Sequence, residues 1–457
     1  MLEPQVPLQI HEQAHGHEHA SLRRHEGMPK MPRWLSVEEA LERILGYVSV
    51  IESEEKPLLD ALGRVLAEDL RSSMDIPPLA NSSMDGYAVQ ESSVSGASRE
   101  RPVSLRVIGQ IAAGYVSTVP VGRGEALRIM TGAPIPAGAD AVVPFEETDE
   151  LERTARGQRI GDEIRVYKTA GLGQNIRPAG EDILNGELVL EKGAVLRPGE
   201  IGVLASLGRD RVRVIRAPVV AILATGDELL QPPAPLAPGQ IYDSNTYSLA
   251  ASVLRYGGVP LLLGIAKDEM KSLEAKVHEG IQADMLITSA GVSRGDYDIV
   301  KDVLMQQGEI AFWTVRMRPA KPLAFGALHR QEADGGTTKV PHLGLPGNPV
   351  SALVAFEEFA RPAMLKMQGR KTWQKPMVQA ILEGPIYNDD GRRVYARARV
   401  EKRDGKYYAR LTGPQGSGML TSVARANALA ICPEDVEVKQ TGEVVDVQML
   451  DWYEDQA

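Results

Sequence analysis

A single cysteine, Cys432, stands among 457 residues. That excludes intrachain disulfides and thiolate metal clusters, and it fits a reducing compartment. Aromatic residues are scarce, with 5 Phe and 4 Trp, too few for a large aromatic cage or a base-stacking surface. No uncharged apolar run approaches the roughly 18 residues that a membrane span requires. The first 30 residues lack the apolar core of a signal peptide. The expectation is therefore a cytoplasmic chain with no membrane partner. Basic surface is also short: 61 acidic residues minus 51 basic residues give a net charge of −10. That disfavours broad nucleic-acid binding, which needs cations to replace phosphate counterions. No Gly-x-x-x-x-Gly-Lys-Ser/Thr loop and no Ser-His-Asp arrangement is present, which disfavours P-loop and triad chemistry.

What is there is the composition of a globular protein, 43% hydrophobic and 25% charged, long enough for roughly three or four domains. Five of the eight histidines (His11, His15, His17, His19 and His25) fall in the first 30 residues. That segment is polar and without apolar period, so residues 1–33 read as a disordered, histidine-containing tail. Order is expected from Leu35. Ser36 and Glu39 form a capping-box pattern, and Val37, Ala40, Leu41, Ile44, Leu45 and Val48 recur at helical spacing. A second short helical stretch is expected within Leu58–Leu70. Short runs at 104–108, 125–129, 141–144 and 163–167, divided by Gly and Pro, predict a small antiparallel barrel or sandwich.

After Arg216 the texture changes to alternating buried strands and amphipathic helices, which predicts a parallel sheet covered on both faces. Ligands of such sheets lie at the strand C-ends. The loops expected there carry Asp227, Glu228, Asp268, Ser289–Gly295, Asp296, Asp298, Arg318, Lys321 and Gly347–Ser351. Met285–Thr288, a glycine loop and a following helix make an anion seat, because unpaired N–H groups and the helix dipole converge there. Carboxylates with oxygen-only chemistry suit Mg2+, and Arg318 and Lys321 suit phosphate. Metal, anion seat and cations together point to phosphoryl or nucleotidyl chemistry. Beyond Lys375 short strands return, and a small C-terminal β-barrel is expected.

Six ordered stretches carry a resemblance: 81–88 (NSSMDGYA), 130–136 (MTGAPIP), 173–182 (GQNIRPAGED), 225–228 (TGDE), 241–245 (IYDSN) and 345–351 (LPGNPVS). Over about residues 34–455 the chain resembles the molybdopterin molybdenumtransferases of the bacterial MoeA type, which are related to the gephyrin E domain. The resemblance implies a multidomain α/β plus β fold with a central doubly wound parallel molybdopterin-binding domain. Residues 34–72 and 172–207 would form an elongated linker domain, its first helix free to pack on the α/β domain. Residues 73–171 would form an inserted small β domain, 208–370 the α/β domain, and 371–457 the C-terminal β-barrel.

The implied reaction is molybdenum insertion: adenylylated molybdopterin and molybdate react with Mg2+ to give the molybdenum cofactor and AMP. By motif, Asp85, Thr131, Asp182, Glu228, Asp268 and Asp298 would be the functional positions, with Glu228, Asp268 and Asp298 as metal ligands. Substrate and molybdate would meet Ser289, Gly291, Ser293, Arg318, Lys321, Pro322, Gly347, Asn348 and Ser351, with Arg393 (in place of Arg392 or Arg397) and Ser422 reaching in from the barrel. The family implies a homodimer in which the inserted domain of one subunit faces the crevice of the other, and the molybdopterin adenylyltransferase as upstream partner. Two positions depart from the family pattern. Ala290 and Ala320 stand where glycines are usual, and Ala takes positive φ less freely. Two rival readings are the adenylylation step itself and a scaffolding role. The first usually carries Thr-Gly-Gly-Thr-Gly where this chain has Ser289-Ala-Gly-Val-Ser293, and the second would not need Asp85, Glu228 and Asp298.

Overall fold

The computed structural model describes residues 34–159, 161–267, 269–289 and 297–451, excepting the side chains of 297–301. Its first helix, Val37–Gly46, is closed by the expected capping box. Glu39 N–H donates to Ser36 Oγ at 3.0 Å, and Ser36 N–H donates to Glu39 Oε2 at 3.1 Å. Its apolar stripe, Val37, Ala40 and Ile44, packs with Val220, Ile222, Leu249, Phe356 and Phe359. The helix thus belongs to the core of the distant α/β sheet and not to the segment that follows it in sequence.

That segment is built from narrow ladders. Ser53–Pro57 pairs antiparallel with Arg211–Ile215, and Leu70–Arg71 with Leu188–Leu190. Its small core contains Leu66, Leu70, Leu196, Leu204 and Val214. The helix expected within Leu58–Leu70 reduces to one 3-10 turn, Leu59–Ala61. Gly63 then takes φ +78°, a conformation that ends helices. Val65 and Leu66 leave as bridges to Val195 and Val214. Tertiary pairing overrides local propensity here.

The inserted region holds a five-stranded sheet in the order Ala141–Pro144, Gly86–Val89, Glu125–Ile129, Val103–Ile111, Glu163–Val166. It is one mixed sheet, since Val103–Ile111 and Glu125–Ile129 run parallel. The expected all-antiparallel arrangement is corrected at that pair. Gly86–Val89 gave no strand signal because all four residues are buried, and a strand covered on both faces loses its alternation.

The α/β region carries a six-stranded sheet in the order Val259–Ala266, Val219–Thr225, Met285–Ser289, Thr337–Leu345, Pro322–Gln331, Gly308–Thr314. The first four strands run parallel, as expected. The last two add an antiparallel edge. One face packs the helices Val37–Gly46, Asn245–Arg255, Pro349–Ala355 and Arg361–Met367. The other packs Met270–Gly280 and Tyr297–Gln307 through Leu273, Val277, Val303 and Leu304. At the strand N-ends Arg216 grips Asp284 through two bonds of 2.5 and 2.6 Å, and Val219 N–H donates to the same carboxylate at 2.7 Å.

Five strands close the C-terminal barrel: Met377–Leu382, Arg393–Arg403, Lys406–Leu411, Ala428–Cys432 and Val444–Met449. Its core includes Cys432, fully buried. Met317–Arg318 leaves the α/β region and pairs parallel with Arg393–Val394. The two regions share hydrogen-bonded backbone at that seam. Among the described residues no helix is long and apolar enough to cross a membrane.

Candidate active site

The parallel strands end side by side at Thr225, Ala266, Ser289 and Leu345, which mark the C-terminal edge of the sheet. Gly226 follows the first strand with φ +141°. A Cβ there would lie 2.5 Å from Glu228 Oε2. Only glycine lets the Glu228 carboxylate fold back against the strand end, and Glu228 itself is exposed.

Asn245 ties two of the loops together. Its amide donates to Ser289 Oγ and to the Gly347 carbonyl, both at 2.7 Å. Asp243 caps the helix that carries Asn245 by accepting from Thr246 N–H at 3.0 Å. Asn245 and Ser289 are buried, so one side chain preorganises this edge of the sheet by holding Ser289 and Gly347 together. Asn245 stood in the 241–245 motif but was not assigned a role from sequence. Its signal was a lone amide at a helix start, which reads equally as a cap.

Gly347, Asn348 and Ser351 lie at the start of the helix Pro349–Ala355, with Asn348 at the N-cap and Ser351 buried in the first turn. Val350 N–H donates to the Ser417 carbonyl at 3.1 Å, so a barrel loop docks on this helix start. Arg318 ends the seam strand Met317–Arg318, and Lys321 precedes Pro322, the first residue of the strand Pro322–Gln331. Arg318 donates to the Tyr387 carbonyl and lies 3.9 Å from both Asp389 and Asp390. Ala320 has φ +76°, a conformation that glycine adopts more freely. The Lys321 ammonium sits 4.8 Å from the Trp34 ring centroid.

The two barrel residues are held differently. The Arg393 guanidinium pairs with Glu38 and, at 3.1 Å, with Glu434. Burial disfavours its charge, but Glu38 and Tyr395 together outweigh this and hold its pKa above the ordinary value. Ser422 Oγ accepts from Arg397 Nε at 3.1 Å and donates to the Met419 carbonyl at 2.7 Å. Arg397 is only 1% exposed, and burial alone pushes its pKa down to about 10. Among the described residues no carboxylate pairs with it. Of the three arginines weighed from sequence, Arg397 is the one in contact with Ser422, whereas Arg393 is engaged by two carboxylates.

In the inserted region Asp85 and Thr131 meet. Thr131 donates to Asp85 Oδ1 through its N–H at 2.7 Å and its hydroxyl at 2.8 Å. The backbone N–H first, then the hydroxyl, hold the Asp85 carboxyl below the usual carboxylate range. Asp182 is exposed at the junction with the linker ladders, its N–H donating to the Ile76 carbonyl at 3.0 Å. Among the described residues no hydrogen bond or ion pair joins Asp85 or Thr131 to the strand-end loops. Asp268, Gly291 and Ser293, and the side chain of Asp298, lie outside the described residues.

Three family models match in order. They are the MoeA N-terminal region over residues 35–208, the probable molybdopterin binding domain over 221–366, and the MoeA C-terminal region over 379–450. The chain belongs to the MoeA family. This MoeA-family chain is 37% identical over 407 residues to the molybdopterin molybdenumtransferase of Nostoc sp., covering 87% of this chain and 90% of that one. It is 36% identical over 424 residues to the Bacillus subtilis molybdopterin molybdenumtransferase, covering 91% and 94%. Among solved structures, the molybdopterin biosynthesis MoeA protein of Pyrococcus horikosii is 32% identical, with a TM-score of 0.77 over 92% of this chain and all of that one. The architecture above is therefore the MoeA fold, including its molybdopterin-binding α/β domain and C-terminal barrel.

Proposed function

We propose that this chain inserts molybdenum into molybdopterin, consuming molybdate and adenylylated molybdopterin and releasing AMP. The observation that supports it best is the C-terminal edge of the sheet. The Asn245–Ser289–Gly347 clamp, the helix start at Asn348–Ser351 and the cations Arg318 and Lys321 gather anion-binding groups around the strand ends. N–H groups, hydroxyls and cations are the donors that a polyanionic pterin phosphate and a tetrahedral oxyanion accept from.

In this reading Lys321, Arg318 and Ser351 bind the oxyanion, with Ser422 presented by Arg397. Ser289 and Gly347, held by Asn245, receive the pterin phosphate side. Ser289 keeps its own hydroxyl proton to donate, because Asn245 uses it only as an acceptor. Asp85, kept ionised by Thr131, supplies a fixed negative charge from the inserted domain, delivered across a homodimer interface to the partner subunit's crevice. Asp182 lies on the same approach.

Mg2+ fits the oxygen-only donor set. Among the described residues no group of three or more His, Cys, Asp or Glu side chains forms a ready metal cage. Mg2+ does not require one, since it takes one or two carboxylates and leaves the remaining positions to substrate oxygens and water. Glu228 offers one such carboxylate, with Asp268 and Asp298 as its companions. The bound ion would neutralise charge on the phosphoanhydride as it breaks. The adenylyltransferase that makes the substrate is the expected upstream partner.

Reconstitution tests the reading. The purified chain, given adenylylated molybdopterin, Mg2+ and molybdate, is expected to form a product that activates a cofactor-free molybdoenzyme. Substrate binding without any activating product would contradict insertion and favour a carrier role.

A further inference from the structure

The Trp34 indole covers the Lys321 ammonium at 4.8 Å from the ring centroid. Its place is fixed from three sides. Leu35 bridges Val315 in parallel, with Leu35 N–H donating to the Thr314 carbonyl at 3.0 Å and Arg316 N–H donating to the Leu35 carbonyl at 2.8 Å. Leu35 itself is buried in the α/β core. One turn later Glu38 pairs with Arg393 of the barrel. The same short stretch therefore grips the strand before Arg318, the α/β core and the barrel. Lys321 is exposed, and an exposed lysine normally spends its ammonium among many rotamers. Among the described residues no carboxylate pairs with it.

We infer that Trp34 is a positioning residue for the oxyanion site, holding the Lys321 ammonium in place by cation–π attraction. The inference rests on the proposed role of Lys321. The choice of an aromatic partner has a chemical consequence. A carboxylate would occupy the N–H donors and cancel the charge. A ring face attracts the cation electrostatically and accepts none of its hydrogen bonds in competition with an oxyanion. Lys321 keeps three donors and its full charge, already near the geometry it needs, so less entropy is lost when the anion binds.

The test measures AMP release by the full chain at saturating adenylylated molybdopterin and Mg2+ while molybdate is varied. Trp34→Ala is expected to raise the molybdate half-saturation about two- to fivefold, the range of an exposed cation–π contact, with kcat unchanged. Trp34→Phe, which keeps a ring face, should stay within about twofold of the parent. In a Lys321→Ala background Trp34→Ala should change nothing further, because the ring then has no cation to hold. An unchanged or lowered half-saturation for Trp34→Ala, or its full effect persisting without Lys321, would overturn the inference. Lys321→Ala alone reads the underlying proposal: an unaltered half-saturation there removes Lys321 from the site whatever Trp34 does.

Discussion

At the scale of single residues, Ala320 is the most informative departure. It holds φ +76° between Arg318 and Lys321, where the Cβ of an L-residue approaches the backbone at a cost. Ala320→Gly is expected to stabilise the chain by on the order of 0.5–1 kcal/mol, the relief of that strain less the entropy of glycine. Chemical denaturation measures it, and a loss of stability would mean that the buried methyl contributes more than the strain costs. His342 makes a second residue-scale prediction. It is fully buried on the central sheet, with Nε2 3.1 Å from Thr288 Oγ1 and Nδ1 without a hydrogen-bond partner among the described residues. Burial pushes its pKa down from 6.5 to about 3. Between these values the unfolded chain binds a proton that the fold refuses, so stability falls as pH drops below 6.5. The contribution of this one group approaches about 1.4 kcal/mol per pH unit. His342→Gln should flatten the decline between pH 6.5 and 4.5 in urea titrations, and an unaltered slope would show that other groups carry it. Sequence could name His342 only as one of three histidines of the α/β region, because burial is not visible in a single letter.

At the scale of elements, the capping box of the first helix was readable from Ser36 and Glu39 alone, since the pattern is local and the hydrogen bonds are three residues apart. Where that helix packs was not, because its partners lie some 180 to 320 residues away in Val220, Leu249 and Phe359. Ser36→Ala should cost about 1 kcal/mol and loosen the α/β core, although the residue lies at the edge of the linker region. Protection of Ile287 and Leu343 amides in hydrogen exchange would report it, and loosening confined to residues 53–71 would contradict this packing. Gly226→Ala should be worse for activity than for folding. Its Cβ would displace the Glu228 carboxylate, and the backbone conformation is nearly restricted to glycine. Turnover should fall at least tenfold with cooperative unfolding preserved, and wild-type turnover would remove Glu228 from the mechanism. The parallel strands were legible as apolar runs ended by small residues. The strand Gly86–Val89 and the parallel pair in the inserted sheet were not, because neither buried uniformity nor strand direction leaves a periodic mark.

At the scale of the whole molecule, the fold divides the proposed site between regions far apart in sequence. Asp85 with Thr131 stands in the inserted sheet, Asn245 with Ser289 and Gly347 at the strand ends, and Arg397 with Ser422 in the barrel. The motifs named most of these positions but not their partners. Choosing Arg393 over Arg397 illustrates why: both lie on one strand, and only three-dimensional pairing separates an arginine neutralised by Glu38 and Glu434 from one buried without a carboxylate. The histidine-containing segment lies outside the described residues; removing residues 1–30 should leave the insertion rate unchanged, and a large loss would assign that segment a part in the reaction. The central claim is most directly tested by AMP release from adenylylated molybdopterin and Mg2+, with and without molybdate. AMP formation that depends on molybdate and yields active cofactor is expected. AMP released at the same rate without molybdate, or ATP consumed with unadenylylated molybdopterin instead, would contradict it.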